Sequence, residues 1–489
     1  MTGVKIPQAM APRLKLLGVK STVLFSGVGV LASSLARVVV AVILARALGP
    51  SEYDAIAVGA LYLGLIVLAL DPGISVALVQ IRELTSSHLA AATAISLLGG
   101  GVVSAATLAV CIVFIQDSAL LGVISVVAVV PLLRGLGLVP QSLLFRDRRM
   151  RVIASGEAVA AAVQVIGTLI GVAIAPGPLA YAVPVVVSEL LLMVAWTRTA
   201  GGVRPRFEKG AARQLWALAS RNATTNMSNV LSRNVDMMIV GWVFGPTALS
   251  LYSIAYRFLW LPVQLIGQVV SRVAVPEFAA SIRESRPIGA SLLRATARLS
   301  TLAALAIAPV ALAGPFIVIL IFGPAWVSAG PIVSLLSVAG MVQTATYLLR
   351  AAWSALGKVS FLARFSVVAA GLSILGFLIG ALVGLLWVPA AYLVVFIGLL
   401  PRMVSYTAEV CDVPRRQLWR AVLYGWPVLA VQTLILLPIF GSPLRGQDVT
   451  LAVGLVGLAG SLLAGALVAL LRLRRSVRLS QREVTEGVR

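Results

Sequence analysis

The sequence predicts an all-α polytopic membrane protein of about fourteen transmembrane helices, in two pseudo-symmetric six-helix lobes followed by two C-terminal helices. Three observations predict it. Hydrophobic residues make up 60% of the chain and charged residues only 11%, where soluble domains carry roughly 25% charge. The mean hydropathy is +1.02, and no soluble core buries that much apolar surface. The apolar runs are long and repeated, which marks helices rather than the shorter, alternating strands of a barrel. A segment near the start of the first half also recurs near the start of the second.

Taken in order, the first run covers 21–46. It follows Lys5, Arg13, Lys15 and Lys20 and continues too far for the apolar stretch of a cleaved signal peptide. The second, 55–80, contains "DPGIS" (71–75), where Pro72 and Gly73 interrupt the helix and free backbone carbonyls for a hinge or an ion. Runs 89–115, 119–144, 152–175 and 179–197 complete a first lobe, 1–197. A basic cytoplasmic linker follows at 198–214. Runs 215–244, 248–273, 296–321, 329–354, 360–384 and 386–407 form a second lobe, 215–407, whose last run is crowded by Pro389, Pro401 and Arg402. Runs 419–440 and 449–471 fall in an added segment, 408–471, before a basic tail, 472–489.

Orientation follows from loop charge. "RDRRMR" (146–151), "RTAGGVRPRFEKGAAR" (198–213), "IRESR" (282–286), "PRRQLWR" (414–420) and "RLRRSVR" (472–478) alternate along the chain with nearly uncharged breaks such as "QDSA" (116–119) and "FGPAW" (322–326). The positive-inside rule then puts both termini in the cytoplasm. It also accounts for the formal charge of +22 without nucleic acid as a partner. Cys111, Cys411 and the single His88 form no disulfide framework or metal site, and both cysteines read as small apolar fillers. No cofactor is expected. There is no Walker A sequence and no catalytic constellation, so the expectation is a transporter, not an enzyme.

The repeat aligns "LARVVVAVILARALGP" (35–50) with "LSRNVDMMIVGWVFGP" (231–246). Leu35, Arg37, Val39, Ile43, Gly49 and Pro50 match Leu231, Arg233, Val235, Ile239, Gly245 and Pro246. Matched helices enter from the same side, as in two lobes related by an axis along the membrane normal, an architecture of transporters.

Within the spans, Asn222, Asn226, Asn229, Arg233 and Asp236 step by three or four residues and so share one helical face. Arg37 occupies the equivalent place in the first helix, on a face with Ser33. Arg257, Gln264, Gln268 and Arg272 follow, then Gln343, Tyr347 and Arg350. A charge at a helix centre costs roughly 2.5–3.5 kcal/mol on insertion scales, so such residues usually face a bundle interior or a wet cavity. Arg272 and Arg350 lie near span ends, where a long side chain can instead snorkel. Arg233 and Asp236 can pair privately at i, i+3. The excess of arginines points to anionic cargo, because guanidinium binds phosphate or carboxylate bidentately. Candidate residues for binding a phosphate or carboxylate head are therefore Arg37, Arg233, Arg257 and Arg272. Ser33, Asn222, Asn226, Asn229, Gln264, Gln268, Gln343, Tyr347 and Arg350 are candidates to line a glycan cavity. Asp71, Asp236 and Glu189 are candidate coupling carboxyls, although Asp71 serves equally to balance an arginine. Glu157 reads as an interfacial residue.

Several segments carry a family resemblance: "ARALGPSEYDAIAV" (45–58), "DPGISVALVQIRELTSSHL" (71–89), "VPQSLLFRDRRMR" (139–151) and "LSRNVDMMIVGWVFGPTALSLYSIAYRFLWLP" (231–262), continued by "PEF", "FGPAW" and "SALGK". Together they resemble the polysaccharide-transport branch of the multidrug/oligosaccharidyl-lipid/polysaccharide exporter superfamily, near the exporters of colanic and teichuronic acids. Asp54 and Ser250 stand where that family usually has glycine. The resemblance spans about residues 20–360. It implies flipping of a polyprenyl-diphosphate-linked oligosaccharide from the inner to the outer leaflet of a bacterial plasma membrane. Implied partners are the lipid-linked oligosaccharide, membrane lipids, a driving proton or sodium ion, and a functional link to glycosyltransferases and a polymerase. A cation-coupled multidrug exporter of the same superfamily is the alternative. A membrane glycan polymerase or ligase is a more distant one, disfavoured by the tiny outer loops.

Overall fold

The computed structural model describes residues 32–440 and 451–486, apart from 72, 82, 285 and 286. The side chains of 67–69, 221–233, 359, 473–486 and most of 260–283 are also outside the description. Among the described residues the regular structure is helical throughout. The elements are α1 (32–47), α2 (Asp54–Leu70), α3 (Ile74–Gln80), α4 (Ser86–Phe114), α5 (Ser118–Val127), α6 (Val130–Arg146), α7 (Met150–Ile174) and α8 (Leu179–Ala200). They continue with α9 (Lys209–Arg283), α10 (Gly289–Leu312), α11 (Gly314–Phe322), a 3-10 turn (Pro324–Ala329), α12 (Gly330–Ala355), α13 (Val359–Val383) and α14 (Trp387–Val410). The last three are α15 (Arg415–Val422), α16 (Trp426–Phe440) and α17 (Leu451–Glu486).

This is a multi-pass membrane protein. Among the described residues, eleven helices are long and apolar enough to cross a membrane, against the fourteen expected. The difference lies in runs one, two, seven and eight. The first run is described only from residue 32. The second divides into α2 and α3. Runs seven and eight both fall in α9, two helices that meet at the non-helical Gly245 (φ 84°, ψ 178°), between the two expected runs. That left-handed φ needs glycine, and Pro246 follows it. The matched Gly49–Pro50 falls in the break between α1 and α2, so both copies of the repeat end their first helix at Gly-Pro, although only Gly245 takes a positive φ.

The chain forms two compact units, Met1–Met238 and Ile239–Arg489. In the first, α4 packs on α6, α7 on α8, α6 on α8, and α3 against α6. α4 shows why a membrane bundle packs inside out: it buries Ala91, Ala92, Ala94, Ser96, Gly100 and Ser104 while exposing Leu98, Val102, Ile112 and Phe114. Lipid tails solvate large apolar side chains as well as protein does, so small residues take the helix contacts, where backbones can approach. A second cluster, from Val123, Ile124, Val127, Val130, Ala182 and Val185, ties α5 and the start of α6 to α8. At its N-terminus α4 carries a capping box, with Thr85 and His88 exchanging side-chain-to-backbone bonds. His88 Nε2 also lies 2.8 Å from Gln214 Oε1. The lone histidine is thus engaged as a cap and a tether to α9.

In the second unit α12 is central, packing on α10, α11 and α14, while α16 and α17 pair with each other and with α10. Trp353 is fully buried. Its indole donates to Thr407 Oγ1 at 2.9 Å, and Phe361, Phe365 and Tyr406 meet it edge-on. Pro389 and Pro401, which crowd run twelve, fall within α14, Pro389 in its first turn, where a missing N–H costs nothing. Cys111 and Cys411 are free and buried, as small apolar residues would be. Burial pushes the Cys411 thiol, just past the end of α14, up to about 11. Maleimide labelling of Cys411 is therefore expected to be very slow at pH 7.5 and to accelerate only as pH approaches 11. The shift is upward, so its contribution to stability is full below the ordinary thiol range and is lost over that same rise.

Candidate functional site

A cavity of about 810 Å³ opens in the first unit, between α1, the α2–α3 break, α6, α7 and α8. Its lining runs along most of α6, from Leu133 to Phe145, and takes Glu157 near the start of α7 and Glu189 to Trp196 on α8. Aliphatic and aromatic side chains make up much of the wall. The charged groups are Arg37, Asp71, Arg134, Glu157 and Glu189.

Asp71 is built into the α2–α3 break. Its Oδ1 accepts from the backbone N–H groups of Gly73 (3.0 Å) and Ser75 (3.2 Å), and its Oδ2 accepts from the Ser75 hydroxyl. It therefore satisfies donors that the start of α3 leaves open. Gly73 supplies the left-handed turn (φ 109°) that lets the chain re-enter a helix. The far end of α3 is closed from outside, by Arg146 Nη1 donating to the carbonyls of Leu78 (2.7 Å) and Ile81 (2.6 Å). The interrupted helix is thus held at both ends by side chains, and the first of these carboxylates is spoken for by local structure.

Arg134 on α6 and Glu189 on α8 form an ion pair across the cavity wall, Nη2 to Oε1 at 2.5 Å, with side-chain exposures of 36% and 16%. Arg37 on α1 is exposed to the cavity. Its Nη2 donates to Ser34 Oγ at 3.1 Å, and its charge acts on the Glu157 carboxylate. The lining therefore holds two guanidiniums and three carboxylates. It is a mixed-charge chamber in which, unlike the spans read from sequence, carboxylates outnumber guanidiniums.

Of the residues singled out from sequence, Ser33, Arg37, Asp71 and Glu189 come together here. Asp236 is buried at 4% exposure, and it is absent from this lining. Arg257, Gln343, Tyr347 and Arg350 belong to the second unit. Gln343 is buried there and donates to the Tyr392 hydroxyl at 2.6 Å. The side chains of Asn222, Asn226, Asn229, Arg233, Gln264, Gln268 and Arg272 lie outside the described residues.

Sequence reasoning missed Arg134 and put Glu157 at the membrane interface. The signal for Arg134 was present, since "PLLRGLGLV" (131–139) carries a cation deep within an apolar run. Its partner lies 55 residues away, beyond any search for acids three or four positions along the same helix. Glu157 lies near the start of α7, lines the cavity and is acted on by the charge of Arg37 from α1.

Comparison with known proteins adds a second line. A family described as polysaccharide biosynthesis protein matches residues 43–331. The teichuronic acid biosynthesis protein TuaB of Bacillus subtilis is 30% identical over 138 residues, 28% of each chain. The amylovoran biosynthesis protein AmsL of Erwinia amylovora is 28% identical over 141 residues, 29% of this chain and 36% of that one. The matched stretch thus spans about a third or less of these relatives. Among solved structures, the lipid II flippase MurJ in its inward closed conformation superposes with a TM-score of 0.72 at 13% identity, covering 94% of this chain and 99% of that one. An outward-facing multidrug-resistance MATE transporter of the MOP superfamily gives 0.56 at 12% identity, over 81% and 95%. At such identities the likeness is one of fold.

Proposed function

We propose, since the chain belongs to the polysaccharide biosynthesis protein family, that it flips a polyprenyl-diphosphate-linked oligosaccharide from the cytoplasmic to the outer leaflet by alternating access. The observation that carries this reading is the chamber itself, a cavity of about 810 Å³ within a membrane-spanning bundle, walled by apolar side chains and charged at Arg37, Arg134, Asp71, Glu157 and Glu189. A polar chamber in lipid serves a polar headgroup, while the polyprenyl tail stays in the bilayer, along the two C-terminal helices. The fold shared with a lipid II flippase agrees with it, as does the relationship to a teichuronic acid biosynthesis protein. On this reading the protein sits in a bacterial plasma membrane with both termini in the cytoplasm, and its lobes are 1–197 and 215–407.

Arg37 is the cation for the diphosphate in the first unit, because Arg134 is already committed to Glu189. Arg233, Arg257 and Arg272 are its proposed counterparts along α9, with Asn226 and Asn229 nearby for sugar hydroxyls. The mixed charge gives Arg37 a resting partner: Glu157 holds the guanidinium until an anion replaces it. The coupling ion, a proton or sodium, is then taken up by a carboxyl so released. Glu157 therefore joins Asp71, Asp236 and Glu189 as a coupling candidate.

In proteoliposomes carrying a fluorescent polyprenyl-diphosphate oligosaccharide, Arg37→Ala is expected to reduce outward flipping at least tenfold, with membrane insertion intact. A full rate in that variant removes Arg37 from the site, and no flipping by the native chain ends the proposal. The three carboxylates of the chamber and the MATE-like fold favour one rival, a cation-coupled multidrug exporter. Proton-driven extrusion of ethidium, without lipid flipping, is the result that would select it.

A further inference from the structure

At one end of the second unit the outward surface turns from apolar to cationic on neighbouring helices at a single level. α10, α16 and α17 pack on one another, and α15 packs on α10. The Ser300 hydroxyl of α10 donates to the Val422 carbonyl at 2.6 Å and accepts from the Gly425 N–H at 3.1 Å. A Cβ at Gly425 would lie 2.3 Å from the Ser300 carbonyl oxygen, so the turn between α15 and α16 sits directly on α10. From α17, Arg472 Nη1 donates to the Tyr424 carbonyl at 2.6 Å, and the guanidinium stands over the Tyr424 ring, 4.6 Å from the centroid. The Tyr424 hydroxyl returns a bond to the Arg472 carbonyl at 3.2 Å. Ser300, residues 422–425 and Arg472 therefore share one level.

On the exposed face of α10, Arg294 and Arg298 are followed one turn later by Leu302. They are the sixth and tenth of its 24 residues, inside the helix and not in the loop where charge bias alone would put them. Arg415, Arg416 and Arg420 of α15 are exposed, and exposed Leu423, Trp426 and Leu434 follow them into and along α16. On α17 the exposed Leu463, Leu467 and Leu471 run up to Arg472. Among the described residues none of these six arginines forms an ion pair. The exposed acids Glu409 and Asp412 precede α15, and six cations beside two acids favour a partner of net negative charge. A surface that passes from leucine to arginine within a turn lies where hydrocarbon gives way to headgroups, and an exposed indole such as that of Trp426 belongs at that boundary. An acidic protein or a nucleic acid would have to lie against the leucines, whereas a lipid carries both chemistries in one molecule. We propose that the arginines of α10, α15 and α17 form a binding site for the headgroup of an anionic phospholipid. The guanidinium forks engage its phosphate, and its acyl chains lie along the leucines beyond. On the orientation proposed above, the site belongs to the cytoplasmic leaflet. It holds a resident lipid, not the cargo, and serves a flippase and a drug exporter alike.

The test uses the full-length protein in bilayers of equal parts phosphatidylcholine and phosphatidylglycerol, with one or the other brominated in its acyl chains to quench tryptophan. The signal of Trp426 is the difference between the native chain and Trp426→Phe. Phosphatidylglycerol is expected to occupy the contact with Trp426 at least fivefold in preference to phosphatidylcholine. Arg298→Gln/Arg420→Gln should bring that ratio to about one. Arg204→Gln/Arg206→Gln, the same loss of charge from an exposed stretch of the first unit, should leave it unchanged. A ratio near one in the native chain, or a ratio that survives Arg298→Gln/Arg420→Gln, overturns the inference. So does an equal loss in both double variants, because bulk surface charge then accounts for the preference. Loss of the preference on adding inorganic phosphate at constant ionic strength also overturns it, since the arginines then serve a free anion. Should Arg298→Gln/Arg420→Gln fail to insert, Arg294→Gln/Arg416→Gln reads the same site: a ratio at least halved supports it, and an unchanged ratio overturns it. No transport is measured, so failure here leaves the flippase reading to its own assay.

Discussion

Glu189→Leu is expected to lower the stability of the folded protein by about 2–3 kcal/mol, and Arg134→Leu/Glu189→Leu to regain most of it. The reason is asymmetry. Removing one member of a desolvated ion pair strands the other, which costs roughly 3–5 kcal/mol when both are buried, while replacing both by apolar residues is often neutral. Arg134 keeps 36% exposure to the cavity, and water there screens part of the penalty. Denaturant unfolding in mild detergent, followed by tryptophan fluorescence, measures each variant. If the double variant is no more stable than Glu189→Leu, the pair is not what holds α6 to α8. The same variants separate structure from transport. Were Glu189 a coupling carboxyl, the double variant would be stable yet flip lipid without responding to an imposed ion gradient.

The second large effect is expected at the α4–α6 contact. A Cβ at Gly135 would lie 2.4 Å from the Ser96 carbonyl oxygen, and one at Gly100 would lie 2.5 Å from that of Pro131. Both obstacles are backbone, so no rotamer change relieves them, and the helices must part. Gly135→Ala or Gly100→Ala is expected to cost about 1–3 kcal/mol, and Gly135→Leu to prevent recovery of monodisperse protein in size-exclusion chromatography. Gly99 and Gly101 are the control, since a Cβ at either meets nothing within 4 Å. Alanine there should be neutral or stabilise α4 by roughly 0.5–1 kcal/mol. Equal behaviour at all four glycines would contradict close backbone approach as the basis of this packing.

Much of the site was legible along the chain. The Asp-Pro-Gly break placed Asp71 at an interruption, because proline and glycine act on their own backbone, and α2 and α3 divide there. Arg37 was legible because a lone cation in an apolar run needs a polar destination wherever the run packs. What the chain did not show is that Asp71, a coupling candidate that serves equally to balance an arginine, also anchors α3, because its donors lie two and four residues away and only the bend brings them within reach. Gln343, Tyr347 and Arg350 share a face of α12, in the second unit, as their spacing predicts.

The sequence by itself determined the class of the molecule, its helices and its family. Composition, run length and local breaks are properties of neighbouring residues, and those already decide whether a segment is stable in lipid. Only the tertiary structure decided the charge balance of the chamber. Arg134 meets Glu189, and the charge of Arg37 acts on Glu157, across helices separated by long stretches of chain, and the sign of a cavity depends on which charges share its low-dielectric space rather than on how many the helices carry.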